Sequence, residues 1–230
     1  MTRDELIRGV ALHMDEITPD NDYVIAVDGS DNNPLYALID GLIWGTSLEL
    51  YSIAPYWRIK QKSFASVDTE TAFADTDYER TVIRLKVPED FLRVAEISHK
   101  DFARPITEVF SEQSEEGKRQ HSPYLVAKTA RPVGIMSHGV WGTGQSTEQV
   151  REIDCYSLGE GITFSAADLV ATYIPTPEII ANTGTDAVEA VIPAALIPAF
   201  EWLVAARAFG SRGDVNHMGI CEKNAKELLV

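Results

Sequence analysis

Lysine and arginine are scarce in this sequence. Twenty of them stand against 35 aspartates and glutamates, a formal net charge of −15 and an isoelectric point near 4.7. Gripping nucleic acid requires clustered cations that displace counterions from phosphates, so specific DNA or RNA binding is not expected. An acidic wall instead repels a duplex and lets it slide past. Most of the carboxylates are expected simply to keep the protein in solution. Cysteine is scarcer still, with Cys155 and Cys221 in separate segments. Thr2 to Glu5 carries charge where a secretory leader needs an apolar run, so both are expected to be reduced thiols in a cytoplasm. Long apolar runs are also missing. The longest, Leu35 to Ile53, has Gly41 and Gly45 in G-x-x-x-G spacing, but Asp40 and Glu49 within it are costly in lipid. A buried helix is expected there, with no membrane association.

What is present is the composition of a globular protein, 45% hydrophobic and 24% charged. A chain of this length buries roughly 72% of its unfolded surface, enough for a core without metals or disulfides. Leu6, Ile7, Val10, Met14 and Ile17 recur at helical spacing, with Thr2 and Glu5 forming a capping box, which predicts a helix over 2–17. Four aspartates (Asp20, Asp22, Asp28, Asp31) follow in a turn-rich connection. Asn33-Pro34 opens a second helix that Pro55 stops, apolar on nearly all sides and therefore expected inside a helical layer or against a neighbouring subunit. Residues 61–80 lose all period and read as an acidic loop or arm.

The period then becomes two: Thr81–Val87, Leu92–Ser98, RPITEVF, RPVGIMS, REIDCYSL and Asp168–Ile174, each bounded by turn formers, an antiparallel β-rich region. Between them SEQSEEGKRQ reads as a solvated helix or loop. Near the end Pro198 is placed to start a helix carrying Phe200, Leu203, Val204 and Ala206, Gly210 to Gly213 breaks it, and Asp214 to Leu229 forms the last helix. The expected fold is α+β, a helical bundle from the N- and C-terminal helices with an inserted antiparallel β-sandwich-like module. Its segments are 1–60 (helices), 61–80 (loop or arm), 81–185 (β-module) and 186–230 (helices).

Reactive motifs are few. Gly139-Val-Trp-Gly-Thr-Gly144-Gln145-Ser146 fits the phosphate-binding loop pattern except that Gln145 stands where the lysine must be, and strand-like REIDCYSL follows where a helix should begin. His217 and Cys221 lie four apart and Cys155 is a conceivable third ligand, but no metal-site spacing supports them. Asp20 to Asn33 lacks the glycine and closing glutamate of a calcium loop. Arg212-Gly213-Asp214 reads as an interhelical turn. His13, His99, His121, His138 and His217 sit in unrelated segments, and there is no nucleophile elbow. No catalytic, cofactor or metal residue is assigned.

The remaining signal is a set of turn and packing residues. In LKVPEDFLRVAEI a strand runs into Pro88, placed at the first central turn position, with Asp90 able to bond backbone amides and Phe91 opening the next strand. Two further strands open with Arg104-Pro105 and Arg131-Pro132, where a leading proline costs no ladder bond. The succession VPEDFLR, RPITEVF, SEQSEEGKRQ, ARPVGIM, IDCYSL, ATYIPTP and FEWLVAARAF resembles the neck proteins of short-tailed, crAss-like bacteriophages, ring or head-to-tail adaptor subunits, and more distantly the tail tubular protein A group. The resemblance covers roughly Val87 to the C-terminus.

It implies a non-enzymatic virion protein, assembled in the host bacterial cytoplasm, that forms a ring below the portal, twelve-fold to match it. The implied partners are other copies of itself, the portal protein, adjacent neck and tail rings, and viral DNA passing without sequence-specific contact. Trp44, Tyr51 and Trp202 are the expected interface anchors, since aromatics dominate such contacts. Two rival readings are a nucleotide-binding enzyme using residues 139–146 and a monomeric module that binds a host protein.

Overall fold

The computed structural model describes residues 1–17, 34–64, 72–75, 80–120, 122, 125, 127–128, 130–141, 148–158, 168–181 and 184–230. In chain order its helices are α1 (Arg3–Ile17), α2 (Pro34–Ile53), α3 (Glu115–Gln120), α4 (Ile197–Ser211) and α5 (Val215–Leu229). Its strands are β1 (Lys62–Ser63), β2 (Ala72–Asp75), β3 (Arg80–Lys86), β4 (Phe91–His99), β5 (Val109–Ser111), β6 (Val133–Trp141), β7 (Glu148–Leu158) and β8 (Leu169–Pro175). They fall into two compact units, Met1–Lys60 with Thr176–Val230, and Gln61–Pro175. The α+β class is as the periodicity requires. Residues 176–185, expected in the β-module, belong instead to the helical unit.

In the helical unit α1 begins with the anticipated capping box. The Thr2 amide donates to Glu5 Oε2 (2.8 Å) and the Glu5 amide to Thr2 Oγ1 (3.1 Å), which satisfies two otherwise unpaired donors. Leu6, Ile7, Val10 and Met14 are buried. Pro198 sits in the first turn of α4, where its missing N–H is harmless. The turn after α4 uses Gly213 at φ +79°, and the Asp214 carboxylate then caps α5 by accepting from the His217 amide (3.2 Å). The calcium-loop comparison of Asp20 to Asn33 falls outside the described residues.

The helix buried all round is α4, not α2. Phe200, Leu203, Val204 and Ala206 are inside as expected, and so are Ala199, Ala205, Ala208 and Phe209 on its other sides. Its alanines let α1, α2 and α5 approach closely. By contrast α2 buries one stripe (Leu35, Ile39, Ile43, Leu50, Tyr51) and leaves Trp44 and Ile53 exposed. Ion pairs join the helices at their edges: Arg3 Nε to Asp40 (2.6 Å), and Arg207 to Glu49 on α2 (2.8 Å) and Glu222 on α5 (2.9 Å).

The β unit holds a three-stranded sheet, β1-β8-β4, and a five-stranded sheet, β2-β3-β7-β6-β5. One core draws on both: Phe64, Val94, Ile97, Ala171 and Tyr173 from one side meet Ile83, Leu85, Ile153 and Cys155 from the other, a sandwich-like arrangement. Alternation along β8, with Leu169, Ala171 and Tyr173 buried and Val170 exposed, is the period-two signal that located it.

Three expectations need correction. The five-stranded sheet is mixed, because β5 runs parallel to β6. Residues 61–80 are not all loop: Lys62–Ser63 pairs with β8, and Ala72–Asp75 pairs with β3 as an edge strand. The segment RPITEVF is a strand only at its end. Ile106 makes a lone two-way bridge to Ile97 (2.9 and 2.8 Å), and Val109 begins the strand proper.

Candidate functional site

Pro88 to Phe91 is a corner at which the chain passes from one sheet to the other. The Val87 amide makes the last bond to the five-stranded sheet, donating to Arg151 O (3.0 Å). Pro88 has no N–H to continue the ladder, and the Phe91 amide closes a turn on Pro88 O (3.2 Å) before β4 joins the other sheet. Pro88 thus occupies the first turn position and Glu89 the first central one. Nor does Asp90 turn mainly to backbone amides: its carboxylate accepts from Lys62 Nζ (2.7 Å) and the Tyr173 hydroxyl (2.8 Å). The Lys62 bond holds the Asp90 carboxyl below the usual carboxylate range. Burial, helped by that carboxylate, pushes the Tyr173 phenol up to about 12. Phe91 packs with Phe64 and Tyr173, ring centroids 5.9 to 6.0 Å away. These residues join the two sheets.

The two Arg-Pro dipeptides, with 25 residues between them in sequence, line a single cleft of about 600 Å³. One wall is Arg104 to Phe110, fixed to the first sheet by the Ile106 bridge and to the second by β5. A second wall is α3, started by Ser114, whose hydroxyl accepts from the Gly117 amide (3.0 Å). Gly117 is required there: a Cβ would lie 2.4 Å from the Glu112 carbonyl oxygen. The third wall is Ala127, Lys128 and residues 130–133, tied to α3 by buried Gln120, which donates to Glu116 O (2.9 Å) and accepts from the Ala127 amide (2.9 Å).

Four cations (Arg104, Arg119, Lys128, Arg131) and two carboxylates (Glu108, Glu116) face this cleft, the reverse of the balance over the whole chain. Arg119 leans on Glu115 and Glu116 at 3.7 and 3.8 Å. Among the described residues Arg104, Lys128 and Arg131 have no carboxylate partner. Pro132 is buried and Phe110 and Val133 half-buried beneath them, so the cleft offers apolar floor and cationic rim together. The arginines were visible in the sequence, but their convergence depends on the β5–β6 pairing. Lys128, three residues before Arg131, was the overlooked part of the signal.

The outer face of β7 holds a second charged cluster. Arg84 Nε and Nη2 reach both Asp154 oxygens (2.7 and 3.2 Å), and Glu152 Oε1 lies 3.1 Å from Nε. Ser137 donates to both carboxylates (3.3 and 3.4 Å). Burial works against the Arg84 charge, but the bond to Asp154 and the two negative charges raise its pKa overall. The alternation Glu152-Ile-Asp154 in REIDCYSL held this information.

Of the expected interface aromatics, Trp44 is 41% exposed and Tyr51 is core, its hydroxyl bonded to Val191 O. Trp202 is half-buried, stacked on His13 at 4.1 Å, and His13 meets Glu201 at 3.2 Å. Sequence reading passed over Trp57, which is 68% exposed just beyond α2.

Gly139 pairs with Val150 at the end of β6, so residues 139–146 lead from one antiparallel strand towards another; 142–147 lie outside the described residues. Among the described residues the next element is the strand β7, where a phosphate-binding loop would be followed by a helix N-terminus. Cys155 and Cys221 are both buried and belong to different units, and burial pushes both thiols up, Cys221 to about 11. Among the described residues no group of three His, Cys, Asp or Glu side chains can hold a metal, and no helix is long and apolar enough to cross a membrane. No protein-family profile matches the chain, and no curated protein matches it significantly.

Proposed function

We propose that this chain is a structural subunit of a closed ring in the neck of a short-tailed bacteriophage, below the portal, joining head to tail around the DNA channel. The observation that carries the reading is the apolar surface at and just beyond α2. Trp44, Ile53 and Trp57 are 41, 46 and 68% exposed, and a Cβ built on Gly41 or Gly45 meets nothing within 4 Å. Tryptophan and isoleucine side chains left in solvent on and just beyond one helix are the residue types that contact surfaces bury. Ring closure by head-to-tail contacts buries such a surface on every copy. The sequence resemblance and the acidic balance suit a conduit through which DNA slides without sticking.

Electron microscopy of the purified chain across a concentration series, alone and co-expressed with a portal ring, tests this. Closed rings of one rotational order, twelve-fold on a twelve-fold portal, are expected, and Trp44→Ser with Trp57→Ser should prevent them while leaving the circular dichroism unchanged. A chain that remains monomeric in both settings overturns the reading. So does ATP binding that is abolished by Gly144→Val, which would restore the nucleotide enzyme.

A further inference from the structure

We infer that the basic cleft of the β unit receives residues 18–33 of a second copy of this chain, an inference that rests on the ring reading and names one of its contacts. The cleft is a local inversion of sign, with four cations against two carboxylates on a chain of net charge −15. Such a concavity focuses positive potential and selects an acidic partner over a neutral one. Its floor is apolar, so the best occupant combines carboxylates with hydrophobic side chains.

Residues 18–33, TPDNDYVIAVDGSDNN, have that composition. Asp20 and Asp22 precede the apolar run Tyr23 to Val27, Asp28 and Asp31 follow it, and no lysine or arginine is present. The run suits Phe110, Pro132 and Val133, and the flanking carboxylates suit Arg104, Lys128 and Arg131. The other acidic stretch, 65–79, is a poorer candidate because Ala72–Asp75 is already paired with β3. Residues 18–33 also lead directly into α2, which carries Trp44, so both contacts would come from one stretch of a neighbour. Phosphates of a duplex suit the site less well, since they bring no apolar group to its floor and meet the repulsion of the whole molecule.

The test uses a fluorescein-labelled peptide of residues 18–33 titrated with the full chain and followed by anisotropy. Arg104→Glu with Arg131→Glu should weaken capture by about tenfold or more, as should Asn at all four aspartates of the peptide, and salt should weaken it in proportion. Lys226→Glu on α5 should leave capture unchanged, and an unaltered melting curve shows that the cleft variant folds. In the full chain, Asp28→Lys with Asp31→Lys should restore ring formation when mixed with the Arg104→Glu, Arg131→Glu variant. Rings that form equally well from the cleft variant alone overturn the inference and leave the ring reading standing. Tighter capture of a DNA oligonucleotide than of the peptide, lost in the same variant, overturns it in favour of nucleic acid. Capture of the peptide by a chain that stays monomeric in all settings removes the ring while supporting recognition of this segment by the cleft.

Discussion

In the helical unit α4 buries Phe200 and Phe209 completely and keeps its cross-helix ion pairs at the edges, whereas in the β unit Glu152 and Asp154 are carried to 2 and 5% exposure and share one arginine. The first arrangement is stabilised by shape, the second by charge compensation. A helix surrounded by helices offers few places where a carboxylate can be taken out of water and still find partners. A sheet with two faces does: Ile153 and Cys155 point into the shared core while Glu152 and Asp154 point away from it, and Arg84 and Ser137 on adjacent strands meet them there. The β unit is therefore where electrostatic specificity is built, and its basic cleft is another instance.

The widest difference is expected from Phe200→Ala. The side chain is fully buried, so truncation should lower stability by about 4 kcal/mol through lost burial and the residual cavity. Urea titration read by the helix circular dichroism signal measures it. A change below about 1 kcal/mol would mean that α4 is not the centre of its unit. In the β unit Arg84→Met should cost about 3 kcal/mol, because two carboxylates are left buried without their cation. Adding Glu152→Gln and Asp154→Asn should recover most of that loss, which no cavity mechanism allows. If the triple variant is no better than the single one, the cluster is held by packing and the contrast between the units fails.

Smaller in effect, Gly117→Ala should cost about 2 kcal/mol, since the new methyl meets the carbonyl oxygens of Ser111 and Glu112 and the backbone must shift to admit it. Because α3 forms a wall of the cleft, capture of the acidic peptide should weaken as well. Lost stability with unchanged capture would show that the cleft tolerates movement of that wall.

Much of the fold was legible from local rules. The capping box at Thr2 and Glu5, Pro34 and Pro198 in first helical turns, Asp214 before α5 and the alternation of β8 each report on neighbours within one turn or one strand. Illegible parts depended on pairing at a distance. Nothing in Ala72–Asp75 says that β3 will accept it as an edge. Nothing in VPEDF says that its two strands will join different sheets, since a proline turn serves a hairpin or a corner equally well. The site was half legible for the same reason: Arg104, Pro105, Arg131 and Pro132 could be singled out, but their meeting in one cleft follows from the parallel β5–β6 pair, and parallel pairing leaves no turn signature in sequence.

The smallest effect tests the corner itself. Lys62 and Asp90 are about half and one-third exposed, so Asp90→Asn should cost only about 0.5 kcal/mol at neutral pH. Its pH dependence is more informative than its size. The folded Asp90 pKa lies below that of the unfolded chain, so the contribution is fully present above the unfolded pKa near 4 and is lost as pH falls through the folded one. Wild type and Asp90→Asn should therefore converge in urea midpoint at low pH. Tyr173 works in the opposite direction on the scale: it is raised to about 12, so above pH 10 the unfolded chain ionises first and stability falls as pH rises. Tyr173→Phe should remove that alkaline loss together with the hydrogen bond. If both variants instead parallel wild type across the whole range, the Asp90–Tyr173 bond does not tie the corner to the three-stranded sheet, and the turn alone sets the path of the chain from one sheet to the other.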